Sequence, residues 1–369
     1  MRSSLALLAL GAATAMAVAI PEDIPQMKRN IIARQAKNRN NLVKRNSVTT
    51  GADDATILEF ALILEHLEDV FYSEALSKFD QAAFDAAGYS GVYPVLQQVA
   101  ADEAAHVAFL TAGLKAAGVE NPPQRCEYSF PYTDVASFLG LSQVIENVGV
   151  SAYLGAAGDI SDPGYVTAAG SILTVEARHN AFVRLLNNYL PFAEPFDTPQ
   201  SASNVVTIVT PFFTSCPEGS APAIKGHPAL TATSGLAATL GGSVTVSVNS
   251  TDVDLSKYKV YCGWASGLQA AFTDYADGAC PVPTEMIDAQ GQKYLTLTRW
   301  TSLDDKFVLA GPAIVDSSSQ NVTVSIPTLA AAGSSASSSA APASTAAASA
   351  TAAAMSSAMS AMPSASASA

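Results

Sequence analysis

Two short stretches of the chain carry the same spacing of acid and base. ADEAAHVAF (residues 101–109) and TVEARHNAF (174–182) each place a Glu three residues ahead of a His, giving Glu103/His106 and Glu176/His179. On a helix, residues three apart lie side by side on one face, so each stretch offers a carboxylate and an imidazole to one point. Two more carboxylates repeat. Glu65 is followed seven residues later by Tyr72, and Glu146 seven residues later by Tyr153. The order is therefore Glu–x6–Tyr, then Glu-x-x-His, then both again. Four carboxylates and two imidazoles suffice to hold two metal ions with carboxylates bridging them, and mixed oxygen and nitrogen donors suit iron or manganese. A single Glu-x-x-His occurs by chance in many proteins; two copies, each preceded by Glu–x6–Tyr, weigh much more. Residue by residue there are plainer readings. Glu103 and Glu176 can pair with Arg178 or Arg184, the two histidines can be hydrogen-bonded core residues, and Tyr72 and Tyr153 can simply pack.

These side chains need elements to position them. From 53 to 190 the apolar residues recur at helical steps in four blocks, each roughly 25 residues long. The first face runs Leu58, Leu62, Glu65, Tyr72, Leu76, Phe79, and the second Leu96, Val99, Glu103, His106, Leu110, Gly113. The third runs Val135, Leu139, Ser142, Glu146, Gly149, Tyr153, Ala156, and the fourth from Tyr165 through Glu176 and His179 to Leu190. On each face a carboxylate stands where an apolar residue is expected, at a cost of several kcal/mol unless it is paired or metal-bound. Asp162-Pro163 reads as a cap and first-turn proline for the fourth helix. The first two blocks are joined by about a dozen residues around AAGYSG, the last two by GDISDPG, and the middle pair by the longer GVENPPQRCEYSFPYT. That pattern predicts two antiparallel hairpins joined by a crossover. Glu68, one turn after Glu65 on the same face, can replace or supplement it, or stand with Tyr72 and Tyr153 behind the ligands. His66 points about 100° away and reads as a surface residue.

A short fifth helix is expected within 202–215. From about 228 to 327 the pattern changes to short β-branched and aromatic runs such as GSVTVSVNS, YKVYCGW, KYLTLTRW, KFVLAGPAIV and NVTVSIP. These predict a small β-sandwich with Trp264 and Trp300 in its core. His227 stands in a loop beside Pro228 and receives no role. Residues 330–369 are nearly all Ala, Ser, Met, Pro and Thr, a composition that cannot bury enough apolar surface to fold. They end without the apolar tail of a lipid-anchor signal.

At the other end, Arg2, a short Ala- and Leu-rich run and Ala17-Val18-Ala19 read as a secretion signal over 1–19. No later segment reads as a membrane span, so a soluble mature protein is expected. Residues 20–45 form a basic polar segment ending in the dibasic pair Lys44-Arg45, the pattern of a propeptide. The expected layout is thus signal peptide 1–19, propeptide 20–45, bundle 46–217, β-rich domain 218–329 and tail 330–369. The whole chain carries a net charge of −13; residues 1–45 hold eight Lys/Arg against two Asp/Glu, so the remainder carries about −19. Such a chain lacks the cations that hold nucleic-acid phosphates. Four cysteines in a secreted chain suggest disulfides. Three pairings are possible, and position along the chain favours Cys126–Cys216 and Cys262–Cys280. Asn249 and Asn321 begin N-x-T/S glycosylation motifs.

With these residues in view, the chain resembles the ferritin-like superfamily of di-iron carboxylate proteins, whose bundles take a Glu from each of two helices and a Glu-x-x-His from each of the other two. More narrowly, FALILEHLEDVFYSEAL, DEAAHVAFL and PFFTSCP are similar to secreted ferritin-like proteins of fungi, of the stress-response and late sexual-development type, with desiccation-related relatives in plants. The resemblance covers about residues 53–217. It implies Glu65, Glu103, His106, Glu146, Glu176 and His179 as ligands of two iron or manganese ions, with Glu103 and Glu176 bridging and Tyr72 and Tyr153 donating hydrogen bonds to ligand carboxylates. Two functions stay open. One is redox or iron-handling chemistry with O2, peroxide or ferrous iron as partners. The other is a structural protein of the cell wall or extracellular matrix whose metal serves stability alone.

The dibasic pair yields a direct expectation: mature chains begin at Asn46. N-terminal sequencing of protein from the culture medium tests it, and a first residue of Ile20 would show that the segment is retained.

Overall fold

The computed structural model describes residues 53–232, 242–249, 251–286 and 291–316. The expected signal peptide, propeptide and Ser/Ala tail, together with NVTVSIP and Asn321, lie outside the described residues.

Four long helices build the N-terminal half: α1 (Asp54–Lys78), α3 (Tyr93–Ala116), α4 (Val135–Ala156) and α5 (Pro163–Leu186). Their starts follow local chemistry. The Asp53 carboxylate accepts from the Thr56 N–H. Asp134 and Ser137 form a capping box. The Asp162 side chain accepts from the N–H groups of Gly164 and Tyr165. Each cap satisfies donors that the first turn leaves free. α5 stops at Leu186 rather than running on to Leu190. Asn187 closes it, and Asn188 takes a left-handed φ of 63° that Asn tolerates.

α1 packs along α3, and α4 along α5. The two hairpins are joined by the crossover 117–134. The α1–α3 connection also holds a short helix, α2 (Gln81–Ala86), capped by Asp80 and anchored by the fully buried Phe84. The expected fifth helix is α6 (Ala202–Val209), shorter than its allotted span. Pro211 enters a single 3-10 turn after it, and the chain then leaves as β2 (Phe213–Ser215). β2 pairs with β1 (Glu127–Tyr128) from the crossover, and the Cys126–Cys216 disulfide lies beside that pairing. The crossover is thus tied to the far end of the helical region.

The β-rich part has two antiparallel sheets. One orders β3 (Leu230–Ala232), β4 (Ser243–Val248) and β7 (Ala279–Pro281). The other orders β6 (Gln269–Asp274), β5 (Tyr261–Ser266), β8 (Gln292–Thr298) and β9 (Val308–Asp316). They share a core that includes Val244, Val246, Trp264, Leu295 and Ala313, with Cys262 and Cys280 disulfide-bonded inside it. Trp264 is fully buried as expected, whereas Trp300 is 64% exposed and belongs to no core. It follows β8 after the strand has ended, so its side chain is not held over the sheet.

KYLTLTRW alternates like a half-exposed strand, yet all seven residues of β8 are buried. The reason is a third layer. Ala265 and Tyr294, cross-strand partners on the face opposite Trp264, pack into the helical core. Tyr294 Oη lies 2.7 Å from Ser151 Oγ and 3.1 Å from Asn147 Oδ1, both on α4. Asp316, at the end of β9, accepts from Arg184 Nη1 of α5 and Gln143 Nε2 of α4, each at 3.1 Å. The sheet therefore covers the outer side of α4. α4 is the one described helix long and apolar enough to cross a membrane, contrary to the expectation of no further such segment. It is apolar because it is enclosed on both sides, and it carries Glu146 inside the bundle.

The closeness of that layer is measured by Gly155. A Cβ there would stand 1.9 Å from the backbone oxygen of Gln200. Gly155→Ala must move backbone and is expected to cost about 1–3 kcal/mol. Gly140, exposed on the same helix with nothing near its absent Cβ, provides the contrast: Gly140→Ala is expected to gain about 0.5–1 kcal/mol from helix propensity. Thermal unfolding of both variants checks this, and equal shifts of one sign would show that the α4–Gln200 approach is loose.

Candidate metal centre

The six ligand candidates come from four helices: Glu65 from α1, Glu103 and His106 from α3, Glu146 from α4, Glu176 and His179 from α5. All six are buried, and the four carboxylates are fully so. Their atoms fall into two groups that could each hold a metal ion: Glu65, Glu103, His106 and Glu176, and Glu103, Glu146, Glu176 and His179. Glu103 and Glu176 belong to both groups, the placement that bridging demands.

The histidines turn the same nitrogen inward. His106 Nδ1 lies 3.1 Å from Glu65 Oε2, 3.0 Å from Glu103 Oε2 and 3.2 Å from Glu176 Oε1. His179 Nδ1 lies 2.8 Å from Glu103 Oε1 and 3.6 Å from Glu146 Oε2. Closeness alone does not satisfy these atoms. Glu103 Oε1, Glu146 Oε2, both oxygens of Glu176 and His179 Nδ1 are buried without a hydrogen-bond partner. Buried carboxylate oxygens without donors are costly, and carboxylates converging with imidazole nitrogens fit a divalent cation.

The tyrosines cross between the two halves. Tyr72 of α1 donates to Glu146 Oε1 of α4 and lies 2.6 Å from Ser142 Oγ, while Tyr153 of α4 donates to Glu65 Oε1 of α1. Each hydroxyl occupies one oxygen of a carboxylate and leaves the other directed at the cluster. Burial, and then the charge of Glu146 or Glu65, hold both phenols well above their ordinary pKa, so they stay donors.

Electrostatics favours protons in the metal-free cluster. Burial opposes charge on His106, but Glu103, Glu176 and Glu65 outweigh it and push its pKa up to about 12. For His179 burial is likewise overcome, by Glu103 and Glu146, and the value rises to about 11. Burial raises Glu103, while His106 and His179 partly offset it. Burial, followed by the charge of Glu103, places Glu176 well above the usual carboxylate range.

Asp102 was not singled out in the sequence. Its Oδ2 accepts from His179 Nε2 at 3.2 Å, fixing the ring with Nδ1 inward, as a carboxylate–histidine–metal relay requires. The acid pair Asp102-Glu103 was its only trace in the sequence. Ser142 appeared on the inner face without a role, which its contact with Tyr72 supplies. His66 is corrected: it is half-buried, and its Nε2 lies 3.2 Å from the Pro123 carbonyl of the crossover, which folds over that side of α1. The arginine alternatives are not taken up by these glutamates. Arg184 pairs with Asp316, and Arg178 is exposed. Glu68 is buried beside the cluster, with Oε2 lacking a partner. His227 lies 3.4 Å from Asp305, far from the cluster in sequence and in role. Asn249 is exposed at the end of β4.

Residues 53–188 match the ferritin-like domain family. Protein rds1 of Schizosaccharomyces pombe (strain 972 / ATCC 24843) is 27% identical over 165 residues, which cover 44% of this chain and 40% of that protein. The chain thus spans less than half the length of this curated relative. The match and the architecture agree on a ferritin-like fold for the helical half.

Proton linkage gives a test with a definite sign. The folded, metal-free protein binds more protons than the unfolded chain once pH exceeds the ordinary carboxylate pKa, because Glu103, Glu176 and both histidines have raised values. Stability contributed this way is full at low pH and drains as pH rises. The metal-free protein is therefore expected to lose stability from about pH 5 to pH 8, while divalent-ion binding strengthens and releases protons over the same interval. Calorimetric titration with Mn2+ in buffers of different ionisation enthalpy counts those protons; zero release would contradict the protonated cluster.

Proposed function

We propose that the bundle holds two iron or manganese ions, bridged by Glu103 and Glu176, and performs redox or iron-handling chemistry on O2, peroxide or ferrous iron. The observation that carries this reading is the set of buried carboxylate oxygens from four helices with no hydrogen-bond donor. When bound, such an ion pair supplies one-electron steps to oxygen or to iron. The chain's own residues do the rest. Glu65 and His106 hold one position, and Glu146 and His179 the other. Tyr153 and Tyr72 fix the orientation of Glu65 and Glu146 through the half of each carboxylate turned away from the cluster. Asp102 holds the His179 ring. The apolar walls keep bulk water from the carboxylates, which strengthens their hold on a cation.

We further infer that the protein acts outside the cell, with cleavage of residues 1–45, glycosylation at Asn249 and Asn321, and association with cell wall or matrix through its β-rich part and tail. The two disulfides are compatible with that compartment.

Metal analysis of the purified protein, followed by aerobic addition of ferrous iron with an oxygen electrode, tests the reading. Two ions per chain and oxygen uptake are expected. Glu103→Ala and Glu176→Ala are each expected to remove most of the metal, and the double variant little more, because residues acting as one unit are not additive. Bound metal without oxygen uptake would favour the structural alternative. Unchanged metal in both single variants would remove the shared site.

A further inference from the structure

The two halves of the bundle repeat their ligands and tyrosines, but one carboxylate beside the cluster has no counterpart. Three residues after Glu65 stands Glu68; three residues after Glu146 stands Gly149. The two face each other. A Cβ built on Gly149 would lie 2.8 Å from Glu68 Oε1 and 3.3 Å from Glu176 Oε2. The missing side chain on α4 is therefore the notch that admits the Glu68 carboxylate from α1, and it brings that carboxylate up against Glu176.

Nothing else explains the presence of Glu68 there. It is 3% exposed, and its Oε2 has no hydrogen-bond partner. Glu68 lines a crevice of about 10 Å3 with Leu64, Leu67, Ile145, Val148 and Phe212, whose apolar wall offers its carboxylate no donor and room for about one water. The strongest charges acting on it are those of Glu176 and then Glu65, both members of the His106 group. A carboxylate oxygen held among other carboxylates in an apolar wall, without a donor, is stabilised by a proton or a cation.

We propose that Glu68 is a seventh metal ligand, serving the ion held by Glu65, Glu103, His106 and Glu176, and that Gly149 exists to seat it. The dinuclear centre is then asymmetric by construction. One ion has the additional carboxylate, and the other has the Asp102-oriented His179. This rests on the dinuclear reading above and adds a ligand and an inequivalence to it.

The test is titration of the metal-free full chain with Co2+, read by calorimetry and by the ligand-field absorption that reports coordination. Wild type is expected to bind two inequivalent ions. Glu68→Gln, which keeps the volume, is expected to weaken one ion by on the order of tenfold or more, at least the loss seen on removing a group that only orients a ligand. The other ion stays within about twofold. Gly149→Ala, which fills the notch, is expected to reproduce that loss with Glu68 still present. Glu68→Ala/Gly149→Ala, which removes the clash, is expected to fold as wild type and bind like Glu68→Gln. In a His179→Ala background the remaining ion stays sensitive to Glu68→Gln; in a His106→Ala background it does not. Unchanged Co2+ affinities in Glu68→Gln, equal weakening of both ions, or the reverse background dependence would overturn the proposal while leaving the dinuclear reading standing. Failure of wild type to bind Co2+ would overturn both.

Discussion

Five carboxyl groups share the interior of one helical bundle with only two imidazoles to offset them, and much of the architecture answers that constraint. A single ionised carboxylate in such a medium costs several kcal/mol, and neighbouring like charges add to the cost. Protons on His106 and His179 offset part of it, and the Tyr72 and Tyr153 hydroxyls satisfy one oxygen each of Glu146 and Glu65. Glu68 Oε2, Glu103 Oε1, Glu146 Oε2 and both oxygens of Glu176 have no hydrogen-bond partner. A cluster of this kind persists only if surrounding packing holds the four helices together regardless. That role falls to the buried apolar residues above and below each Glu along the bundle, to the Cys126–Cys216 link across the crossover, and to the sheet lying over α4.

The β-rich half is thus part of the support rather than an appendage. α4 carries Glu146 and Tyr153 inward and Asn147 and Ser151 toward Tyr294 of β8. α5 carries Glu176 and His179 inward and, near its end, Arg184 toward Asp316. The two helices of the second hairpin are braced from outside by one sheet. The first hairpin has the crossover instead, with His66 against Pro123.

The four helices and their inward carboxylates were legible because helical periodicity is a local property: a Glu at an apolar step is visible without knowing what faces it. Cap residues are local too, so Asp162-Pro163 marked the start of α5. What escaped depends on partners distant in sequence. His66 read as a surface residue because the crossover that covers it follows some fifty residues later. The sandwich expected for KYLTLTRW supplies one covered face, and the second cover of β8 is a helical layer that its own sequence does not announce. Trp300 read as core because aromatic residues at strand ends usually are. Gly149 was seen only as a small residue on an inner face, and its meaning appears once Glu68 is found across from it. Asp102 had no role in the sequence, and its place against His179 supplies one.

The crossing tyrosines carry one more consequence. Tyr72 serves a carboxylate of the second hairpin and Tyr153 one of the first, and Glu103 and Glu176 each belong to both groups, so neither hairpin holds a complete group. Two separate, identical hairpins meeting about a twofold axis would make the same arrangement, but every substitution in them would appear twice. A Glu at the position of Glu68 would then confront another Glu where Gly149 stands, with no notch for either. Joining the hairpins in one chain removes that bookkeeping. Each half can change alone, and a centre built from a repeat can give its two positions different chemistry.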